Sequence, residues 1–173
     1  MSDNDKIVRP ARRDDFFPDT PLHVILVEPE IPPNTGNVAR MCYATGSQLH
    51  LIEPLGFEIT NSRLRRAGLD YWEHINVQVH KKLEDVVGPI VPLERCHFFS
   101  TRATKAFWEI PIQEGDALIF GKESIGLGPE RVETYQDNLY HIPLKPGTVR
   151  SINLSNSVAI ALFDSYRRLS GIS

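Results

Sequence analysis

Short apolar segments rich in β-branched and aromatic residues alternate with helical patterns along the chain from Leu22 onward. Bounded runs of this kind are typical of buried strands. They predict strands at residues 23–29, 48–54, 75–80, 96–101, 116–121 and 138–143. Helical spacing and capping residues predict long helices over residues 34–45 and 154–169, and short ones within residues 61–72, 83–87 and 129–135. This alternation indicates an α/β fold with a mostly parallel sheet flanked by helices.

The pattern runs through a chain of 173 residues without an internal repeat or a low-complexity linker. That length suits one ordinary domain, so we expect a single domain over residues 21–173 after a flexible tail over residues 1–20. The tail begins MSDNDKIVRPARRDD, which is charged and resembles neither a secretory signal nor an anchor. No apolar run approaches the ~18 residues that a membrane span needs. We therefore expect a soluble, cytoplasmic protein without a membrane partner.

Composition is that of a globular protein, with 41% hydrophobic and 24% charged residues and a net charge of −3. An anionic partner would therefore have to bind a local basic patch. Cys42 and Cys96 each lie in an apolar segment and read as buried, reduced thiols of a cytosolic protein. The six histidines are scattered singly through the strands without metal-ligand spacing, so we expect no metal site.

Four loops contain most of the Gly, Asn, Ser and Arg residues that the strands and helices do not explain. They span residues 34–40, 100–105, 121–128 and 145–153, and each follows a predicted strand. Ligands bind beyond the carboxyl ends of the strands in open parallel sheets. The sequence therefore predicts one site assembled from these four loops.

Three segments near that site have unusual composition. FGKESIGLGPE (residues 120–130) has the spacing of neither a phosphate-binding P-loop nor a dinucleotide-binding GxGxxG motif. We interpret it as a glycine-bracketed turn that presents Glu123, with an ordinary loop and a solvent-exposed Glu123 as the alternative. In EPEIPPNTGNVARMCYATG, Asn34 and Thr35 are candidate N-caps. The segment over residues 147–169 collects more Ser and Asn side chains at one helix start than capping requires.

Taken in order, EPEIPPNTGNVAR, LIEPLGF, RRAGLDYW, LIFGKESIGLGPE and IPL…RSINLSNSVAIALF resemble the successive motifs of the SPOUT (SpoU-TrmD) methyltransferases. The resemblance covers residues 22–169 and is closest to the subfamily that methylates the ribose 2′-oxygen of the wobble cytidine or uridine of tRNA. It implies a SPOUT fold with a deep trefoil knot in the C-terminal part. It also implies S-adenosylmethionine as methyl donor and a homodimer whose active site draws on both subunits.

The resemblance also implies roles for individual residues. The catalytic positions it matches are Asn34, Arg40, Glu123, Ser151 and Asn153, and the cofactor-binding positions are Phe99, Gly121, Ile142 and Ser151. A guanidinium stays protonated at neutral pH, so we expect Arg40 to hold a phosphate and orient the attacking hydroxyl and not to act as a base. We expect Glu123 to support this frame by pairing with the polar loop groups or with Arg40.

Only RNA carries the 2′-hydroxyl, so the expected substrate class is RNA. The resemblance implies that the target is the anticodon loop of tRNA. Basic clusters would supply the phosphate contacts, and the positions we expect to bind RNA are Arg63, Arg65, Arg66 and Lys105. Tyr71 and Trp72 leave room for stacking on an unpaired base. Two alternatives stay open: a 2′-O-methyltransferase that acts on ribosomal RNA or another tRNA position, and a non-catalytic RNA-binding factor with the same fold.

Overall fold

The structure is a computed structural model that describes residues 17–58 and 77–171. Its strands are β1 (His23–Val27), β2 (Gln48–Ile52), β3 (Val77–His80), β4 (Cys96–Phe99), β5 (Lys105–Ala106), β6 (Ala117–Phe120) and β7 (Leu139–His141). The α-helices are α1 (Pro32–Thr45), α2 (Pro129–Thr134) and α3 (Leu154–Leu169). Short 3₁₀ turns cover Leu83–Asp85, Leu93–Arg95, Phe107–Glu109 and Gln136–Asn138.

The seven strands form one parallel sheet in the order β3-β2-β1-β6-β4-β7-β5. The prediction of a mostly parallel α/β sheet is therefore confirmed. Every predicted strand is present within the described residues. The strands other than β3 are each shorter than expected, and residues 75 and 76 of the strand predicted at 75–80 lie outside the described residues. The two-residue strand β5 was not predicted, because two residues show no alternation. The segment expected as a helix over residues 83–87 is a 3₁₀ turn, and the helix expected within residues 61–72 lies outside the described residues.

Apolar side chains cover both faces of the sheet. Val24 and Leu26 of β1 point to one face, where they pack with the buried sides of α1 and α3. Ile25 and Val27 point to the other face, where they pack with Phe98 and with the residues around the first 3₁₀ turn and α2. Because successive residues of a strand face opposite sides, a strand buried on both faces reads as a continuous apolar run. This explains segments such as HVILV and ALIF.

Helix α1 begins two residues earlier than its sequence predicted. Its first residues are Pro32 and Pro33, and its N-cap is Ile31, which makes no side-chain capping bond. Proline suits the first helical turn because it lacks an N–H that would otherwise be unpaired there. The prediction of Asn34 or Thr35 as N-cap is therefore wrong, and Asn34 lies inside the first turn. The helix ends as predicted, with Gly46 in the left-handed region at φ 72°.

Candidate active site

A cavity of about 860 Å³, here called the rim pocket, lies at the carboxyl ends of strands β4, β6 and β7. Each of the four loops expected to assemble there contributes to it. It is lined by residues 99–102, 120–129, 141–142, 144 and 150–154, together with Ile31, Asn34, Val132 and Ser157. Strand order explains the convergence, because β6 pairs with β1 on one side and β4 on the other.

Most residues that the sequence assigned to the site line the rim pocket. They are Asn34, Phe99, Gly121, Glu123, Ile142, Ser151 and Asn153. Arg40 is exposed on α1 and does not line the pocket. Lys105 also lies outside it, where its Nζ donates to the Asp137 carbonyl at 2.6 Å and sits 5.6 Å from the centroid of the Tyr140 ring. Arg63, Arg65 and Arg66 are outside the described residues.

The Glu123 carboxylate is held by three N–H donors from the segment that follows β1. Its Oε2 accepts from the Glu30 backbone N–H at 2.8 Å, and its Oε1 accepts from the Ile31 backbone N–H at 3.2 Å. The Asn34 side chain completes the set, with Nδ2 donating to Oε1 at 2.9 Å. Glu123 therefore pairs with polar loop groups, as the sequence suggested. The alternative of an ordinary solvent-exposed Glu123 is wrong.

A carboxylate has no hydrogen to donate, so it accepts every hydrogen bond that it makes. This sets the donor and acceptor roles of Asn34 and then of Asn153. Asn34 must turn its Nδ2 towards Glu123, so its Oδ1 faces the other way and accepts from Asn153 Nδ2 at 2.9 Å. Asn153 then presents its own Oδ1 to the start of α3. We call Glu123, Asn34 and Asn153, with these bonds, the amide–carboxylate network. It connects the loops after β1, β6 and β7 by hydrogen bonds in which each donor and each acceptor is determined.

Asn153 is the N-cap of α3. Its Oδ1 accepts from the backbone N–H of Ser155 at 2.8 Å and of Asn156 at 3.4 Å, and from the Ser155 hydroxyl at 2.7 Å. One residue of the Ser and Asn surplus therefore caps the helix. Ser151 is exposed and lines the rim pocket, as does Ser157 in the first turn of α3, whose hydroxyl donates to the Asn153 carbonyl at 3.2 Å.

The turn after β6 is closed by glycines, as its sequence predicted. Lys122 and Gly126 exchange backbone hydrogen bonds of 3.2 and 2.8 Å. A Cβ on Gly121 would lie 2.0 Å from the carbonyl carbon of Gly126, so no other residue fits there. Gly126 has φ 68°, a conformation that glycine adopts without strain. The turn directs Glu123 towards α1, and the residues of the turn line the rim pocket.

Part of the pocket lining is apolar, and one lining residue has an unpaired polar atom. The rings of Phe99 and Phe120 stack with centroids 4.4 Å apart, and Ile142 and Leu144 also line the pocket. The Nδ1 of His141 is buried without a hydrogen-bond partner among the described residues. Buried polar atoms are normally paired, so such an atom at a pocket indicates a place for a ligand or water.

Further contacts tie the segment after β1 to the turn after β6, and the sequence did not reveal them. Glu30 accepts from the Ser124 backbone N–H and hydroxyl, each at 2.9 Å. Glu28 accepts from Lys122 Nζ at 2.8 Å and from Arg131 Nη2 at 2.7 Å. The only available sequence signal was the repeated Glu in EPE beside two prolines, which does not identify cationic partners about a hundred residues away along the chain.

Another titratable cluster lies at the amino ends of the strands, on the side of the sheet away from the rim pocket. Buried Asp116 accepts from His97 Nε2 at 2.8 Å, from the Gln113 N–H at 2.9 Å and from the Arg95 guanidinium. Burial raises the pKa of Asp116, but the hydrogen bonds from His97 and Arg95 outweigh burial and lower the pKa below its ordinary value. The cluster joins the amino ends of β4 and β6, so we assign it a role in holding the sheet.

Within residues 17–58 and 77–171, no group of three or more His, Cys, Asp or Glu side chains is arranged to hold a metal ion. In the same ranges, none of the helices combines the length and apolar character required to span a bilayer.

Known proteins provide an independent comparison. The SpoU rRNA Methylase family model matches residues 21–163. A protein of Saccharophagus degradans named tRNA (cytidine(34)-2′-O)-methyltransferase is 47% identical over 149 residues, which cover 86% of this chain and 96% of that protein. A solved structure described as giving insights into the 2-OH methylation of C/U34 on tRNA is 42% identical, with a TM-score of 0.77, and covers 87% of this chain and 97% of the other.

A more distant structure shows the same fold. It is the SpoU methyltransferase AviRb from Streptomyces viridochromogenes in complex with AdoMet, which is 18% identical with a TM-score of 0.71. The match covers 92% of this chain and 62% of that one. At such low identity the similarity concerns the fold alone. The family match, however, extends over most of the chain and includes every residue that lines the rim pocket. This protein therefore belongs to the SpoU rRNA methylase family.

Proposed function

We propose that this protein transfers a methyl group from S-adenosylmethionine to the ribose 2′-hydroxyl of cytidine or uridine 34 of tRNA. The observation that carries the proposal is the amide–carboxylate network at the wall of a pocket of about 860 Å³. The relative that is 47% identical is named for this reaction on cytidine 34. The solved structure at 42% identity concerns the same position of tRNA.

The rim pocket suits S-adenosylmethionine by shape and chemistry. The Phe99–Phe120 stack and Ile142 offer apolar surface for an adenine, and the glycine turn at Gly121 lets backbone groups approach a ligand closely. The unpaired Nδ1 of His141 provides a polar atom for a ligand. When bound there, the sulfonium would supply an activated methyl group. We propose Phe99, Gly121, Ile142 and Ser151 as the residues that hold it.

Residues of this chain would align the nucleotide and exclude water from it. Both ends of the Asn34 side chain and both ends of the Asn153 side chain are already engaged within the protein. We therefore assign these asparagines and Glu123 to fixing the loops, and Ser151 to contact with the ribose or donor. Alignment of this kind can account for much of the barrier reduction in a displacement reaction. Arg40 would bind the neighbouring phosphate and orient the hydroxyl.

A homodimer would allow Arg40 to reach the rim pocket of the other subunit. On an α-helix, positions six residues apart point in directions that differ by roughly 120° and are about 9 Å apart along the axis. Arg40 therefore faces away from Asn34, and it does not line the rim pocket of its own chain. We propose that a second copy presents its Arg40 to this pocket. We further propose that the C-terminal part is threaded as a deep trefoil knot and that the protein acts in the cytoplasm.

For the anticodon loop, we propose phosphate contacts from Arg63, Arg65, Arg66 and Lys105. Lys105 is exposed, and its bond to the Asp137 carbonyl leaves further N–H groups of the ammonium to donate. Arg102 and Arg150 are exposed at the rim pocket and extend the positive charge towards its mouth. Each phosphate-binding cation that is neutralised should reduce the slope of log affinity against log salt by roughly one.

The direct test is methylation of a defined tRNA transcript by purified protein and methyl-labelled S-adenosylmethionine. A matched transcript with a single 2′-deoxynucleotide at position 34 lacks only the proposed nucleophile. We expect label to enter the first transcript and not the second. Label in both would place the methyl group elsewhere and contradict the proposed position.

Nucleoside mass spectrometry tests the same reaction in cells. Bulk tRNA from a deletion strain should lose 2′-O-methylcytidine or 2′-O-methyluridine derivatives, and the wild-type gene should restore them whereas Arg40→Ala should not. The family description specifies ribosomal RNA, which makes a ribosomal substrate the second candidate. Loss of a 2′-O-methyl group from ribosomal RNA with unchanged tRNA would favour it. No loss in either RNA would favour a non-catalytic RNA-binding factor.

A further inference from the structure

Glu28 adopts an unusual backbone conformation at the point where β1 ends. Its φ is 53°, and among the described residues it is the one position other than glycine with a positive φ. A side chain with a Cβ is strained in the left-handed region, so such a residue persists only where its surroundings hold it there. Its backbone N–H donates to the Ile52 carbonyl at 3.0 Å, which continues the β1–β2 ladder by one residue.

The side chain of this strained residue joins two cations that flank one wall of the rim pocket. Oε2 accepts from Lys122, the second residue of the glycine turn, and Oε1 accepts from Arg131 in α2. Arg131 in turn donates through Nη1 to the Leu127 carbonyl at 3.4 Å, near the end of that turn. We call Glu28, Lys122 and Arg131 the Glu28 clasp. It contacts residues 121–128 at both ends, through Lys122 and through the bond of Arg131 to Leu127. Glu28 itself does not line the pocket.

The charge state of Glu28 suits this role. Burial raises the pKa of its carboxyl, but the hydrogen bonds and positive charges of Lys122 and Arg131 outweigh burial and lower the pKa below its ordinary value. The carboxylate is therefore ionised at neutral pH and accepts both bonds. Charge-assisted bonds to two cations are among the stronger contacts that one side chain can make.

The clasp works on a different part of the wall from the amide–carboxylate network. That network holds Glu123 against α1 and leads to the start of α3, on the side of Asn34 and Asn153. The Glu28 clasp holds the two ends of the turn, whose backbone lies beside the apolar part of the pocket. Loss of the clasp should therefore disturb the donor side of the pocket and leave the network in place.

We propose that Glu28 is a positioning residue that fixes residues 121–128 as the wall of the methyl-donor pocket, through Lys122 at one end and Arg131 at the other. This inference rests on the proposed use of S-adenosylmethionine. It assigns Glu28 no contact with the donor or the RNA.

Two substitutions separate the clasp from general stability. Glu28→Gln removes the charge and keeps the size of the side chain, and Glu28→Gly removes the clasp but also relieves the left-handed strain. We expect both to weaken S-adenosylmethionine binding by about 10-fold or more, measured by isothermal titration calorimetry. Glu28→Gly should resist urea at least as well as Glu28→Gln. Turnover at saturating donor should stay within about 2-fold, so that the effect falls on KM and not on kcat.

The matched control is Glu94→Gln, an exposed carboxylate at the opposite edge of the sheet, which should bind the donor like the wild type. Hydrogen exchange of the ligand-free protein supplies a readout that does not depend on the cofactor. Backbone amides of residues 121–128 should exchange about 10-fold faster in both Glu28 variants, while those of β1 and β6 stay protected. If Glu28→Gln does not fold, Arg131→Met removes one arm of the clasp without changing a residue that lines the pocket, and it should show the same changes at smaller size.

The outcomes distinguish this inference from the proposed function. Wild-type affinity in a folded Glu28→Gln variant, or unchanged exchange over residues 121–128, would overturn the positioning role. A fall in kcat as large as the loss of affinity, with faster exchange in β1 and β6 as well as in residues 121–128, would reduce Glu28 to a general structural residue. Failure of the wild-type protein itself to bind S-adenosylmethionine would contradict the proposed function, whatever the exchange experiment showed about the clasp.

Discussion

Asn34 uses both ends of its side-chain amide, and no other side chain of its size could do so. Its Nδ2 donates to Glu123 and its Oδ1 accepts from Asn153. Aspartate would place an oxygen against the Glu123 oxygen, and leucine would remove one donor from Glu123 and the acceptor of Asn153 Nδ2. The amide therefore links a charged acceptor to the N-cap of α3, which gives a physical reason for an asparagine at this position.

This arrangement predicts a specific pattern for substitutions at Glu123 and Asn34. Glu123→Gln puts an NH₂ group against an N–H donor, and Asn34→Asp opposes two carboxylates. We expect each to lower the free energy of unfolding by about 1–3 kcal/mol, because a buried polar group loses its partner. In the double variant, Gln can donate to Asp, so its loss should be smaller than the sum of the two. Urea denaturation of all four proteins measures this coupling.

The control for this cycle is Glu133→Gln, an exposed residue of α2, which should change stability by less than about 0.5 kcal/mol. Strict additivity of the two single changes would contradict direct contact between positions 34 and 123.

The sequence identified some of these residues but not how they are connected. Asn34, Glu123 and Asn153 were matched through a family resemblance, and Glu123 was expected to pair with polar loop groups. The N-cap prediction for Asn34 was wrong because Pro32 and Pro33 can begin a helix without a side-chain cap. Glu28 was missed because its left-handed backbone and its two cationic partners depend on tertiary structure.

At the scale of the elements, the start of α3 combines capping with site assembly, and the two can be separated. Asn153→Ser keeps a hydroxyl that can cap the helix but is too short to reach Asn34. Asn153→Ala removes both contacts. We expect Ala to be less stable than Ser by about 1 kcal/mol, the usual contribution of an N-cap. Methyl transfer should fall to a similar extent in both variants, because both lose the Asn34 contact.

Thermal or urea denaturation and a methylation assay would measure the two effects separately. If the Ser variant retained full activity, the Asn34–Asn153 bond would have no role beyond the cap.

The strands β1, β2 and β3 are linked by a row of histidines that predicts a pH dependence of folding. His50 Nε2 lies 2.9 Å from His23 Nδ1, and His50 Nδ1 lies 3.0 Å from His80 Nε2. His50 is fully buried, and burial, followed by the two neighbouring histidines, lowers its pKa from 6.5 to about 3. The folded protein thus keeps His50 neutral where the unfolded chain would protonate it.

Because the unfolded state binds more protons between about pH 6.5 and pH 3, stability should fall as the pH drops through that window. The loss from His50 should reach about 2 kcal/mol at pH 5, at about 1.4 kcal/mol for each pH unit. Urea denaturation at pH 7.5 and pH 5 tests this. The His50→Leu variant should be less stable at pH 7.5 but should lose less on acidification. If the His50→Leu variant lost as much stability between pH 7.5 and pH 5 as the wild type, the assignment to His50 would be wrong.

Elements were predicted from sequence where the pattern was long. The continuous apolar runs of β1 and β6 and the capped helix α3 gave the parallel α/β class. The histidine row could not be predicted, because it needs the register that places His23, His50 and His80 on one face of three strands. Strand β5 has two residues and no periodicity.

At the scale of the whole molecule, the strand order brings distant segments together. β6 inserts between β1 and β4, although it follows β4 in the chain. The turn after β6 therefore meets the segment after β1, and Glu30 and Glu123, 93 residues apart, come into contact. The sequence predicted that the loops share one edge but contained no signal for the order. Long-range order of this kind comes from the packing of the whole sheet.

The position of Arg40 predicts an active site that is shared between two subunits. Its helix places it on the outside of its own chain, whereas the proposed reaction needs a cation at the substrate phosphate. If a partner copy supplies it, Arg40→Ala and Asn34→Ala remove different halves of each composite site. Homodimers of either variant should then be inactive. A mixed dimer would contain one site with an intact pocket from the first variant and an intact Arg40 from the second.

Co-expression of the two variants with different affinity tags would allow the mixed dimer to be purified and assayed for methyl transfer. Random pairing would give roughly half mixed dimers, each with one working site of two, so an unfractionated mixture should regain roughly a quarter of the wild-type activity. If Arg40 acted within its own chain, every site in the mixed dimer would lack either Arg40 or Asn34. Recovery of activity therefore requires exchange of Arg40 between subunits, and its absence in a purified mixed dimer would assign Arg40 to its own chain.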